Sequence, residues 1–322
     1  MRNTSETGLR ILDCRNLLRI AGGLIVASVC LAVAMAGTDE AKSLKSPELR
    51  MLTFNVRTGT AKDGPNEWKL RKELVFEVFR NEKPDVAGLQ EPFRFQLDEL
   101  AQALPEYGQI GGGREDGKTK GEYAAILYKK DLFEVQDSGN FWFSDTPEVP
   151  GSITWGNACT RVCTWARFRD KRSGQSFYHF NLHIDHVSQP SREKSVRLLA
   201  DRIAKRQFPQ DPFVVTGDFN VDESNPVVQY LLGKGSETKD GPASASPVRM
   251  VDSFRVIQPN ATEVNTFHDY KGNKNGQKID YILVPPQTQV LESEIVRWNK
   301  DGRYPSDHFP VTARIRLKEM DN

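Results

Sequence analysis

Between Leu49 and Leu317 the chain repeatedly runs short apolar, β-branched stretches that stop on a carboxylate, an amide or an imidazole. Asn55 closes LTFN, Glu91 follows VAGLQ, and His183 and Asp185 sit in FNLHID. Asp218 and Asn220 end VVTGDFN, Asp280 lies in KIDYIL and Asp307-His308 in PSDHFP. Such stretches are strands of a buried sheet. Where helices punctuate them, both sheet faces can be covered. Strand ends of one packed sheet share a rim, so the polar groups that close them converge there. This pattern excludes a helical bundle and a repeat array.

The order of elements follows from periodicity. Arg50–Arg57 reads as a strand with Leu52, Phe54 and Val56 on one face and Thr53, Asn55 and Arg57 on the other. Trp68–Arg80 has helical spacing, Asp85–Gln90 is a short strand, and Phe93–Leu104 is a helix closed by Pro105. Tyr107–Gly111, Tyr123–Tyr128, Glu134–Phe143, Cys163–Arg169 and Phe177–Ile184 are strands. Ser191–Arg206 is a helix with Ser191 as its N-cap. Phe213–Thr216 is a central strand, Pro226–Leu232 a helix, and 233–249 an irregular loop rich in Gly, Ser and Pro. Ile279–Val284, Val290–Trp298 and Val311–Leu317 close the chain. Two strand blocks with interleaved helices predict an α/β fold, a four-layer sandwich of two mixed sheets packed face to face with helices outside.

Residues 1–19 are basic, and an apolar run from Ile20 to Ala36 ends in the small-x-small pattern Ala34-Met35-Ala36. The run is short for a bilayer span and weakened by Gly22-Gly23, so 1–36 reads as a cleaved export signal and 37–48 as a linker before a single domain at 49–318. The expected location is secreted or periplasmic, with a membrane anchor at 20–36 only if cleavage fails. Of 44 Lys+Arg and 43 Asp+Glu, residues 1–36 hold four and two, so 40 and 41 remain. That balance leaves no basic field to attract long nucleic acid non-specifically. Cys159 and Cys163 would lie about 13 Å apart on an extended segment, too far for a disulfide, and both are expected free.

Each polar motif has a plain reading beside its chemical one. Asp218 and Asn220 follow a β-branched run and Gly217, where an Asx turn would look the same. If the extended geometry continues, the carboxylate can deprotonate a water while the amide donates to a developing oxyanion. Asn181, His183 and Asp185 share the face opposite Phe180, Leu182 and Ile184, which suits a site lining better than a solvent face. His186 lies on the other side. Glu91, Asn55 and Asp307 offer the hard oxygen ligands that Mg2+ prefers, and no Cys/His cluster points to zinc. Asp280 is the natural partner for His308, fixing its tautomer and favouring the protonated ring.

Together these residues resemble the endonuclease/exonuclease/phosphatase superfamily, the DNase I-like fold, over nearly all of 49–317 and in the family's motif order. The resemblance implies Glu91 as the principal Mg2+ ligand, with Mn2+ a possible substitute, and Asn55 and Asp307 close to the metal. It implies Asp218 as activator of water, Asn220 as its assistant, His183 and His308 on the scissile phosphate, and Asp280 orienting His308. The segment from Gly113-Arg-Glu-Asp-Gly117 to Glu122, with Phe141-Trp-Phe-Ser144 and Pro147–Gly151, is similar to a secreted bacterial branch near the deadenylase and nocturnin-like group. In that branch Arg114, Glu122, Trp142, Trp155 and Arg161, together with Asp185, are candidate substrate contacts, each Trp having core packing as its plain reading. The expected substrate is a phosphodiester, nucleic acid or nucleotide favoured, with no protein partner implied. The alternatives are a phosphatase or a phospholipase C on inositol phosphate or lipid. A catalytically dead binding module would have lost Glu91, Asp218, Asn220 or His308, and all four are present.

Overall fold

The computed structural model describes residues 48–234 and 245–318. The expected export signal, residues 37–47 of the expected linker and part of the 233–249 loop lie outside the described residues. Glu48 already belongs to the first strand, one residue earlier than the linker reading placed the boundary.

Two six-stranded mixed sheets form the centre. The first contains β1 (Glu48–Asn55), β2 (Val86–Gln90), β3 (Tyr107–Ile110), β4 (Ala124–Lys129), β11 (Gln289–Ile295) and β12 (Val311–Arg316), in the order β11-β12-β1-β2-β4-β3. The second contains β5 (Phe133–Trp142), β6 (Val162–Asp170), β7 (Ser176–His183), β8 (Phe213–Asp218), β9 (Val251–Asp252) and β10 (Asp280–Val284), in the order β5-β6-β7-β8-β10-β9. Only β1–β2 and β7–β8 pair in parallel. Each parallel crossover runs through a helix, α1 (Trp68–Glu82) and α3 (Gln189–Ala204) respectively. The helices α2 (Arg94–Ala103), α4 (Pro226–Leu231) and α5 (Ser253–Ile257) complete the described set. The four-layer sandwich expected from the pattern is the observed architecture.

Three apolar clusters account for the layers. Leu52, Phe54, Val75, Phe79, Leu89 and Leu97 seal α1 and α2 onto the first sheet. Leu182, Val196, Leu199, Val215, Val227 and Leu283 seal α3 and α4 onto the second. Met51, Val86, Ile126, Phe168, Val214 and Ile282 fill the space between the sheets. Toward the rim that inner layer turns polar. Asn181 Nδ2 donates from β7 to the carbonyls of Leu89 and Ala125 across the gap, at 2.9 Å each. Its Oδ1 accepts from Gln90 Nε2 at 2.7 Å and from Thr216 Oγ1 at 3.0 Å. Thr216 Oγ1 in turn meets His179 Nε2 at 2.7 Å. The sheets approach closely at Gly88, where a Cβ would fall 2.1 Å from Thr216 Oγ1 and 2.3 Å from Asn181 Oδ1. These hydrogen bonds across the gap, which leave Gln90 Oε1 and His179 Nδ1 without a partner, tie one sheet to the other, and so set the relative placement of the two sets of strand ends.

Helix α3 starts earlier than expected. Ser188, not Ser191, is the N-cap, its Oγ accepting from Ser191 N at 3.3 Å. Pro190 is tolerated in the first turn, where its missing N–H is not needed, and Ser191 is buried inside the helix.

A candidate active site where the two sheets meet

β1 and β2 end side by side at Asn55 and Gln90, and β7, β8 and β10 end at His183, Asp218 and Asp280. Asp280 pairs directly with Asp218 across β8–β10, and Asp218 with His183 across β7–β8. The connection is made by Asn55, fully buried, whose Nδ2 donates to Glu91 Oε1 and to Asp218 Oδ2 at 3.0 Å each. One amide therefore ties a carboxylate of the first sheet to a carboxylate of the second. Glu91 is placed by a left-handed residue geometry, φ 72°, and its Oε2 accepts from Thr58 N at 2.9 Å.

The second-sheet side is an acid and imidazole cluster. His308 Nδ1 lies 2.9 Å from Asp280 Oδ2, and its Nε2 is 3.8 Å from Asp218 Oδ2. Burial opposes protonation of His308, but the charges of Asp280, Asp218 and Asp307 outweigh it and push the ring up to about 10. His308 is thus an imidazolium at neutral pH. Burial, with the Asp280 charge, pushes Asp218 up to about 7 despite His308 and the Asn220 and Asn55 hydrogen bonds, the range that suits a general base near neutrality. His183 Nε2 is 3.5 Å from Asp218 Oδ2. Burial and the nearby Arg161 and Arg114 charges hold His183 well below its ordinary range, so it is a neutral donor or acceptor and not a cationic acid.

Three expectations about side-chain placement change. The extended geometry does not continue past Asp218: Asn220 adopts φ 52°, its backbone N–H donates to Asp218 Oδ1 at 2.9 Å, and its Nδ2 donates to the Ile184 carbonyl at 3.0 Å. Asp185 is fully buried and spent on the chain itself, with Oδ1 accepting from Val187 and Ser188 N–H and Oδ2 from Ala158 N–H. It pins the 158 and 187 loops and has no free face for substrate. Trp142 is likewise buried, its indole N–H donating to the Arg114 carbonyl at 2.6 Å, so it packs behind the Arg114 loop. Trp155 donates to Asp145 Oδ1 at 2.7 Å.

Arg114, Glu122 and Arg161 line a small notch with Tyr123, Ala124, Val162 and His183. Arg114 Nη1 donates to Glu122 Oε2 at 2.5 Å, and burial pushes the Glu122 carboxyl up to about 7 against the pull of Arg114. Gly112 and Gly113 make this loop possible, since a Cβ on either would strike the Gly117 or Lys120 carbonyl.

Sequence reasoning missed Arg57 and Arg71. Arg57 holds Asp63 at 3.0 Å and lies 3.6 Å from Asp307 Oδ2. Arg71 is buried on α1 and donates to the carbonyls of Val56, Arg57, Asn66 and Pro305, joining the loop after β1 to the one carrying Asp307 and His308. Its signal was available, as the one charge on the apolar stripe of Trp68, Leu74, Val75 and Val78.

A metal fits this rim on donor chemistry. Glu91 and Asp307 present carboxylate oxygens with no thiolate beside them, and burial with the Glu91 charge holds the Asp307 carboxyl above its usual range. The tightest grouping of ligand atoms here is Asp218, Asp280 and His308, but a His308 held protonated by Asp280 has no lone pair to give. Glu91 and Asp307 are therefore the better match to a hard cation. A hollow of about 600 Å3, lined by Arg50, Glu82, Glu292 and Arg314 among others, shares no residue with the rim. Among the described residues no helix is long and apolar enough to cross a membrane.

With this geometry in place, the family is decided by a match of residues 52–308 to the Endonuclease/Exonuclease/phosphatase family. The chain belongs to that family. A crystal structure of the endonuclease/exonuclease/phosphatase from Bacteroides vulgatus is 34% identical, covers 84% of this chain and all of its own, and superposes with a TM-score of 0.74. A Bacteroides thetaiotaomicron mannosyl-6-phosphatase is 30% identical, with 84% and 100% coverage and a TM-score of 0.73. Nocturnin of Drosophila melanogaster is 23% identical over 89% of this chain, which spans half of Nocturnin's length. Members of the family are phosphoric ester hydrolases, and this chain is such an enzyme of the DNase I-like fold.

Proposed function

We propose that the chain is an exported, Mg2+-dependent phosphoric ester hydrolase. The observation that carries this reading is the Asn55 amide bridging Glu91 to Asp218, with His308 held by Asp280 beside it. Glu91 and Asp307, with Asn55 close by, would hold the metal, which when bound would supply Lewis-acid polarisation of a phosphoryl oxygen. Asp218 takes the proton of the attacking water. His308, a cation fixed by Asp280, donates to a phosphoryl oxygen as negative charge grows on it. Neutral His183 donates a hydrogen bond to the same group. Asn220 positions Asp218 through its backbone N–H, and Arg114, Glu122 and Arg161 face the substrate. Export rests on residues 1–36, and protein recovered outside the cytoplasm should begin at Gly37; a start at Met1 in the membrane fraction would establish an anchor.

The motif resemblance favours a nucleotide-type diester, as the deadenylase-like group suggests. The full-length likeness to a mannosyl-6-phosphatase supports a monoester of a small molecule. The test is a panel of sugar phosphates, dinucleotides, inositol phosphates and sphingomyelin run with Mg2+, with Mn2+ and with EDTA. Hydrolysis of at least one ester, abolished by EDTA, is expected. No hydrolysis of any, or equal rates in EDTA, contradicts the reading.

A further inference from the structure

The notch beside His183 contains an unusual group. Arg161 is 3% exposed. Its Nη2 meets His186 Nδ1 at 2.9 Å, and the Asp185 carboxylate lies 3.7 Å from its Nε. Nε and Nη1 are buried and make no hydrogen bond. A desolvated guanidinium with unused donors is poised for an anionic oxygen, which it binds more strongly than a neutral one. Arg114, set by Glu122, brings a second guanidinium to the same notch. Buried Tyr123, Ala124 and Val162 close it behind, and its free space is about 10 Å3, the size of a single oxygen-sized group.

In-line displacement at phosphorus spreads charge over three equatorial oxygens while the attacking and leaving oxygens lie on the axis. In a monoester all three equatorial oxygens are unsubstituted. In a diester one of them carries a carbon group that must have a way out. The Glu91 side of the rim and His308 answer two of these oxygens. The notch answers the third, and its free space of about 10 Å3 has no room for a carbon substituent. We propose that the Arg114–Arg161 notch receives the third equatorial oxygen of a terminal phosphate, so that the substrate class is a phosphomonoester. This rests on the hydrolase reading above and selects within it. Water attack then breaks one P–O bond, and the products are an alcohol and inorganic phosphate.

The experiment compares p-nitrophenyl phosphate with bis(p-nitrophenyl) phosphate, using the full chain with Mg2+, as wild type, Arg161→Met and Arg114→Gln. Wild type should favour the monoester. Arg161→Met should cost the monoester about 10²-fold in kcat/KM, as loss of one charged oxyanion donor does, and the diester at least tenfold less, so the preference collapses. Arg114→Gln, at the more exposed side of the notch, should act in the same direction and guards against misfolding of the buried variant. Binding of inorganic phosphate by calorimetry in EDTA should weaken in both variants. A wild-type preference for the diester, equal losses on both esters, or unchanged phosphate binding overturns the notch assignment while leaving hydrolysis intact. Turnover of neither ester with Mg2+ overturns the hydrolase reading and the substrate class with it.

Discussion

Replacing Asp280 by Asn keeps the side chain's shape and removes the charge that makes His308 a cation. In the native rim the two groups are 2.9 Å apart and buried, and His308 stands at about 10 because Asp280, Asp218 and Asp307 overcome burial. With Asp280 neutral, burial regains much of its hold and the imidazole loses its proton at a lower pH. The phosphate then meets a neutral ring where it met a charged one. Loss of one donor to a developing oxyanion costs about 10²–10³ in kcat, or about 2.7–4 kcal/mol. His308→Ala should cost a similar factor and the double variant little more, since the pair acts as one unit. The kcat–pH profile separates this from general damage. In wild type the acid limb belongs to Asp218, near 7, and the alkaline limb to His308, near 10. Asp280→Asn should move the alkaline limb down and narrow the bell. Asp201→Asn, on the exposed face of α3, is the control and should match wild type. An Asp280→Asn enzyme with an unmoved alkaline limb, or a double variant whose loss is the product of the two single losses, refutes the reasoning.

Other outcomes follow from the same contacts. Glu91→Gln should weaken Mn2+ binding, measured by titration calorimetry, and lower the rate with it; unchanged affinity would remove Glu91 from the metal. Gly88→Ala drives a methyl group into Thr216 and Asn181 and should cost about 3 kcal/mol, seen as a fall in Tm of roughly 5–10 °C; an unchanged Tm would mean the sheets do not depend on that approach. His179 is buried and held down to about 3 by burial. Its neutral form is kept in the folded state while the unfolded chain takes up a proton below about 6.5, so its contribution is intact above that pH and lost as pH falls. About 2 kcal/mol should disappear between pH 6.5 and 5, and the urea midpoint of His179→Gln should be less acid-sensitive over that range; an equal pH slope in both proteins contradicts it.

Most of the rim was readable because strand periodicity and the position of a strand's last residue are local properties. Alternation alone separated Asn55 from Phe54 and Asn181 from Leu182, and the sheet order then carried the polar sets to one place. What could not be read depended on tertiary partners. Nothing near Asn220 in sequence announces that its amide will meet Ile184 just past the end of β7, or that its backbone will turn left-handed to cap Asp218. Asp185 lines up with His183 by alternation, yet β7 ends at His183 and the next residues curl onto the Asp185 carboxylate. Arg71 interrupts an apolar stripe, and the reason, the four carbonyls it bridges, comes together only in the fold. The Ser188 cap lay three residues before the expected one because Pro190 is compatible with a first turn.

The claim at the centre is that Asp218 acts on water and does not merely end a strand. Asp218→Asn is nearly isosteric and keeps one oxygen for the Asn220 N–H, while its NH2 replaces the Oδ2 that accepts from Asn55, so it should fold and melt within a few degrees of wild type, the cost of about one hydrogen bond. Its turnover of the best ester in the panel should fall about 10²–10⁴-fold. A folded Asp218→Asn enzyme that retains more than about a tenth of wild-type turnover, against the cost of a lost base, would contradict the account.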